Sequence, residues 1–318
     1  MENPYTVDNN EQLKDSFVCL ADILGFTKLC EQAKDRNERN QLLTSITKAI
    51  GNAYKFMDPS IYNFQNKCEY SVKVFTDNIA IGYPLSNPYI NLGQHELGRL
   101  LDSFSAYQLS LAIDGYFLRG AISFGAHYMN DLIVFGDALI DAHKIELKGG
   151  PPRIVISPKM NNILHEQLNM HFLPSSAPHC DVLLKDSDGA IFLNYLHMVT
   201  IANSDERIEI GVLKDHKNRI LENLHLHSHE PRIICKYEWL ANYHNYFCND
   251  LADKFARMIG YDADPENQFE LSHENSRYYD LMQKFIDLKI ESPFHEIMRI
   301  DISDFENSTD QELATDHD

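Results

Sequence analysis

No stretch of the chain reaches the ~18 uninterrupted apolar residues that a membrane span requires. The opening, MENPYTVDNNEQLKD, is polar and acidic, without the basic-then-apolar order of a secretory leader. The expectation is a cytoplasmic protein with no membrane partner. CxxC pairs are also missing. The 6 cysteines, Cys19, Cys30, Cys68, Cys180, Cys235 and Cys248, are scattered, which fits reduced thiols and argues against a disulfide framework or a thiolate zinc site. Basic residues are scarce, with 28 Lys and Arg against 47 Asp and Glu for a net charge of -19, and they form no local cluster. Such a field repels phosphate backbones, so nucleic acid is disfavoured as a partner. A small phosphate-bearing substrate carried with a divalent cation remains compatible. No repeat of fixed period occurs. What remains is an ordinary folded composition, 44% hydrophobic and 24% charged over 318 residues, enough for one large domain or a domain with a long appendage.

Residues 17–23 (FVCLADI) read as a buried strand, punctuated by Gly25 and Thr27. A broken apolar face then predicts two helices over 27–57. In SVKVFTDNIAIGY, alternation on both sides of Thr76-Asp77-Asn78 predicts a tight hairpin with Asp77 in its turn. A helix over 92–114 follows, then strands at 117–124 and 132–135, a helix over 138–147 stopped by GGPP, and a strand at 153–156. Beyond these come another helix, an irregular piece at 174–178, and a strand pair near 181–184 and 190–196. The order predicts an α+β fold, a ferredoxin-like sheet with helices on one face and additional strands at its end. Residues 1–14 are expected to be a polar leading segment and 15–198 the core. Residues 199–300 are expected to form a C-terminal helical appendage, and 301–318 an acidic, frayed tail.

Two carboxylates carry the chemistry. Asp22 ends an apolar strand just before a helix opens, where an unpaired charge is expensive. Asp77 lies in the turn of the next hairpin, which this topology brings beside the first strand. Like charges at that range call for cations between them. Asp22 and Asp77 facing a helix start suit Mg²⁺ or Mn²⁺, with the amides of residues 24–27 taking phosphate oxygens, a two-metal phosphoryl-transfer arrangement. The plain alternative is a helix cap and a turn residue.

ADILGFTKL resembles the first metal motif of the class III nucleotide cyclases and KVFTDNIAIGYP their second. FLRGAISFGAHYMNDLIVFGDALIDAHKIE resembles the block carrying their arginine, hairpin and transition-state helix. The resemblance spans residues 15–198. KDSDGAIFLNYL and KYEWLANYHNYF bring it closer to the bacterial pyrimidine cyclases of anti-phage signalling, the Pycsar group. By position it implies metal ligation by Asp22, Asp77 and the Ile23 carbonyl, and a triphosphate turn at Leu24, Gly25, Phe26 and Thr27. It further implies a phosphate contact at Arg119, and places Lys144 where the family has the arginine that neutralises the transition state. Lysine is a point charge rather than a planar fork. Lys73 keeps the family's place in the base site. Ile133 replaces the aspartate that reads a purine edge, and Ile140 the asparagine that orients the ribose.

Without an acceptor at Ile133, an adenine amino group would lose roughly 1–3 kcal/mol. A smaller ring is favoured. Lys73 can donate to cytosine O2 or N3 and equally to a uracil carbonyl, and the reading leans to CTP over UTP. The activity implied is in-line attack of the ribose 3′-hydroxyl on the α-phosphorus with two divalent cations, expelling pyrophosphate and making a cyclic second messenger for a separate effector protein. A homodimer with composite sites is implied, with Lys73 and Lys144 acting in trans. A non-catalytic cyclase-like nucleotide sensor or dimerisation module is the alternative from another class.

Three other signals carry less. The HLHSH run at 225–229 reads as an exposed polar segment between helices. Trp239, Tyr243 and Tyr246 read as a packing stripe. Lys185 reads as either a γ-phosphate contact by family analogy or a plain surface lysine.

Overall fold

The computed structural model describes residues 3–8, 10–57, 69–86, 91–201, 209–262, 271–293 and 295–308. Cys68 and residues 309–318 of the expected tail lie outside them. The chain divides into two compact units, Met1–Met198 with Met298–Asp318, and Val199–Ile297.

The first unit is mixed α+β. Its elements in chain order are β1 (Lys14–Ile23), α1 (Phe26–Gln32), α2 (Arg36–Tyr54), β2 (Ser71–Phe75), β3 (Asn78–Pro84), α3 (Gln94–Ile113), β4 (Leu118–Met129), β5 (Val134–Gly136), α4 (Asp137–Glu146), β6 (Ile154–Ile156), α5 (Asn161–Asn169), β7 (Leu183–Asp186) and β8 (Ile191–Leu193). With β9 (Ile297–Arg299) they build a mixed sheet in the order β9-β7-β8-β6-β4-β1-β3-β2, and β5 pairs with the far end of β4. β1 is antiparallel to both neighbours, β3 and β4, while β4 and β6 run parallel.

β1 is central because its apolar run serves both faces of the sheet. Phe17, Cys19, Ala21 and Ile23 face the main core, with Ile79 and Ile81 of β3, Ile46 and Ala49 of α2, and Leu97, Leu100, Phe104 and Leu111 of α3. Leu20 faces the other way, in a smaller cluster with Ala80, Ala121, Ala142, Tyr5, Tyr128 and Met129. The expectation of helices on one face is therefore corrected. α4 lies on the face opposite α2 and α3, since the small side chains of Ala80 and Ala121 let Ala142 approach. Asp141 of α4 fixes that contact, accepting hydrogen bonds from Ser123 Oγ (2.7 Å) and Ser157 Oγ (2.5 Å).

Both ends of the unit depart from expectation. The leading segment is not merely polar. Tyr5 is fully buried, its hydroxyl 2.7 Å from Nδ1 of the equally buried His127. The same pair explains why β4 continues to Met129, past the polar interruption at which the predicted strand stops. Nor do residues 301–308 fray. Ile302–Ser308 is a 3-10 helix, anchored by buried Ile300 and Phe305 and by the ion pair of Lys185 with Asp304 (2.5 Å). Lys185 is thus a structural lysine here.

The second unit is helical, with α6 (Ile210–Leu226), α7 (Pro231–Asp262) and α8 (Leu271–Asp287). Trp239 and Tyr243 are buried and stack at 5.7 Å. The polar face of α7 holds the strap after α8. Asn245 donates to the Ile290 carbonyl and accepts from the Ile290 amide, both at 2.7 Å, and Asn242 donates to the Pro293 carbonyl. Beneath them His216 and His244 are buried, their Nδ1 atoms 3.1 Å apart. His227 is not exposed as the HLHSH reading expects. It is buried, stacks on Tyr237 and pairs with Glu230 at 2.9 Å. Among the described residues no helix is long and apolar enough to cross a membrane.

Candidate active site

Strand register assembles the site. Asp22, the penultimate residue of β1, lies between Asn78 of β3 and Arg119 of β4, so all three share the face covered by α4. The hairpin of β2 and β3 turns through Thr76 and Asp77, with Thr76 in the left-handed region (φ 55°). The turn is tied to the strand end by the Ile23 amide, which donates to the Asp77 carbonyl at 3.2 Å. The turn that carries Asp77 therefore lies beside the strand end that carries Asp22. Asp77 lies close enough for its charge to act on Asp22, and its own Oδ1 accepts from Asn78 Nδ2 at 3.1 Å.

The sequence reading left out the pairing of Asp22. Arg119 Nη2 donates to Asp22 Oδ2 at 2.9 Å and to Glu146 Oε1 at 2.6 Å. Glu146 sits at the last position of α4, where the helix comes back over the strand ends. A signal for it was available. Residues 138, 142 and 146 form one stripe at a spacing of four, and Ala138 and Ala142 are its buried members. Burial raises the Asp22 carboxyl above its ordinary value. Arg119 opposes the rise, and Glu146 and Asp77 add to it.

Two atoms in this cluster are buried without a hydrogen-bond partner among the described residues, the acceptor Asp22 Oδ1 and the donor Arg119 Nε. An orphaned acceptor and donor at one point leave places for a cation and an anion. Carboxylate oxygens of Asp22 and Asp77 and the Ile23 carbonyl are hard oxygen donors, the chemistry that Mg²⁺ or Mn²⁺ takes. Among the described residues no group of three or more His, Cys, Asp or Glu stands ready to hold a metal, so any cation here would complete its shell with water or phosphate oxygens.

The remaining expected residues are placed as follows. Gly25 is left-handed (φ 75°) and opens α1 at Phe26. The Leu24 amide is spent on the Phe117 carbonyl at 2.8 Å. That corrects the expectation that all four amides of 24–27 face a ligand. Lys73 Nζ reaches the Asp131 carbonyl (2.9 Å) in the loop before β5, next to the exposed Ile133. Ile140 and Lys144 are exposed on α4, off the inward stripe. Lys73, Ile133, Ile140 and Lys144 thus make no hydrogen bond or ion pair with Asp22 or Asp77 among the described residues. Neither a protein-family model nor a curated protein matches the chain.

Proposed function

We propose that the protein is a nucleotide cyclase of the class III type, built on a ferredoxin-like core, that converts CTP to 3′,5′-cyclic CMP and pyrophosphate. The reading is carried by the junction of Asp22, Asp77 and Arg119, with its orphaned acceptor and donor. The order β4-β1-β3-β2 of the central strands supports the ferredoxin-like part of the reading.

In this reading Asp22, Asp77 and the Ile23 carbonyl hold two divalent cations. When bound, these supply Lewis-acid activation of the ribose 3′-hydroxyl and neutralise triphosphate charge. The residues of the chain do the placing. Asp22 and Asp77 would act on the α-phosphate only by holding the cations, and in the in-line attack the 3′-hydroxyl proton passes to solvent, the O3′–Pα bond forms and the bond from Pα to the leaving pyrophosphate breaks. Arg119 offers its unpartnered Nε to a phosphate oxygen, and the amides of Gly25, Phe26 and Thr27 take others. The exposed positions of Ile133, Ile140 and Lys144, with the half-buried Lys73 beside the Asp131 carbonyl, fit their service in a second copy's site. The solvent-facing apolar side chains of Leu132, Ile133, Phe135 and Ile140 support a homodimer through this edge. Lys144 would then bring positive charge to the transition state in trans, and the aliphatic Ile133 would favour a pyrimidine ring. The product would serve as a second messenger in anti-phage defence, read by a separate effector protein.

One observation favours the alternative, a cyclase-like nucleotide sensor without turnover. Asp22 already has a cation in Arg119. The test is incubation of the purified protein with each of the four ribonucleoside triphosphates and Mn²⁺, with products identified by mass spectrometry. Cyclic CMP is the expected product. Cyclic UMP would keep the site and mechanism and overturn the use made of Lys73. No cyclic product, with triphosphate still bound in a filter assay, would establish the sensor.

A further inference from the structure

We propose that Glu146 is a positioning residue that holds Arg119 in shared custody with Asp22, and thereby sets how tightly the site takes a divalent cation. The inference rests on the reading of Asp22 as a metal ligand. A single nitrogen, Arg119 Nη2, is divided between two carboxylates, and its bond to Glu146 (2.6 Å) is shorter than its bond to Asp22 (2.9 Å). The side chains are only 21%, 17% and 11% exposed for Arg119, Asp22 and Glu146, so these charges are partly shielded from water and act on one another strongly.

Arg119 is in effect a resident cation on Asp22. A divalent ion approaching Asp22 competes with it for the same carboxylate, and the outcome depends on where the guanidinium can go. Glu146 supplies that destination. With Glu146 charged, Arg119 can release Asp22 and remain ion-paired on β4, its Nε still available to an anion. The second carboxylate also adds negative potential beside Asp22. Without that charge Arg119 has Asp22 as its only carboxylate partner among the described residues and the potential falls, and both changes weaken cation binding. The helix contacts that aim Glu146 are independent of its charge. They are the buried Ala138 and Ala142 and the clamp of Ser123 and Ser157 on Asp141.

The variants Glu146→Gln and Arg119→Met therefore shift cation affinity in opposite directions, which a merely structural role would not produce. The measurement is Mn²⁺ binding to the nucleotide-free full chain, read from the loss of the free-ion electron paramagnetic resonance signal, with a melting curve for each variant. E146Q is expected to weaken Mn²⁺ binding about tenfold, the size of one partly screened charge a few Å away. R119M is expected to tighten it by a comparable factor while losing triphosphate affinity. Should E146Q fail to fold, Glu146→Asp carries the test, with weakening smaller than tenfold. Unchanged or tighter Mn²⁺ binding in the folded Glu146 variant, beside a wild type that binds Mn²⁺ and cyclises a triphosphate, would overturn the role of Glu146 and leave the cyclase standing. A wild type that binds no Mn²⁺ would overturn both.

Discussion

At the scale of single residues, the two aspartates differ in what surrounds them. Asp22 is a strand residue whose neighbours are fixed by backbone register, and its loss would remove one of the two carboxylates on the partly buried Arg119. Asp77 sits in a two-residue turn whose main-chain bond to Ile23 does not depend on its side chain. Asp77→Ala is therefore expected to abolish cyclic-nucleotide formation while shifting the melting temperature by no more than about 2 °C, as a surface turn substitution does. Turnover at the wild-type rate in that variant would remove the two-metal reading. The aspartates were legible in the sequence because each stands out against its local pattern, a charge closing an apolar run and an acid in a predicted turn. Glu146 was not, since a glutamate at a helix end is ordinary by itself. Only the alanines one and two turns before it mark its face as inward.

At the scale of elements, β1, the hairpin of β2 and β3, and α3 were readable because apolar period and turn residues agreed there. The placement of α4 was not. A short helix with an alanine stripe fits either face of a sheet, and the choice is made by Ala80 and Ala121 on strands far away in sequence. The strap after α8 was equally hidden, because its apolar signal is only Leu288 and Ile290, both buried, and asparagines of α7 bond its main-chain groups. Asn245 satisfies both the amide and the carbonyl of Ile290. Asn245→Ala strands both groups and is expected to destabilise the chain by about 2–6 kcal/mol, two groups at ~1–3 kcal/mol each. Urea unfolding followed by far-ultraviolet circular dichroism checks this. A loss below 0.5 kcal/mol, the size of an ordinary surface substitution, would show that the strap is held by other contacts.

At the scale of the whole molecule, buried histidines couple folding to pH. Burial pushes His127, His179, His197 and His244 down to about 4, and His216 well below its ordinary value. All five are held neutral when folded and take up protons near pH 6.5 when unfolded. Their contribution is then fully present above pH 6.5 and is lost as pH falls toward 4. Denaturant midpoints are expected to be level between pH 7 and 8 and to fall steadily from pH 6.5 to 5, a window that lies above the ordinary carboxylate range. Level midpoints from pH 8 down to 5 would contradict the neutral, buried state of these rings. A different consequence follows from the place of β1 at the centre of the sheet. It precedes both its partners in the chain, β3 ending at Pro84 and β4 at Met129. A ten-residue, largely apolar strand therefore keeps both edges open until β3 has emerged and one edge open until β4 has, an exposed template for mispairing during synthesis.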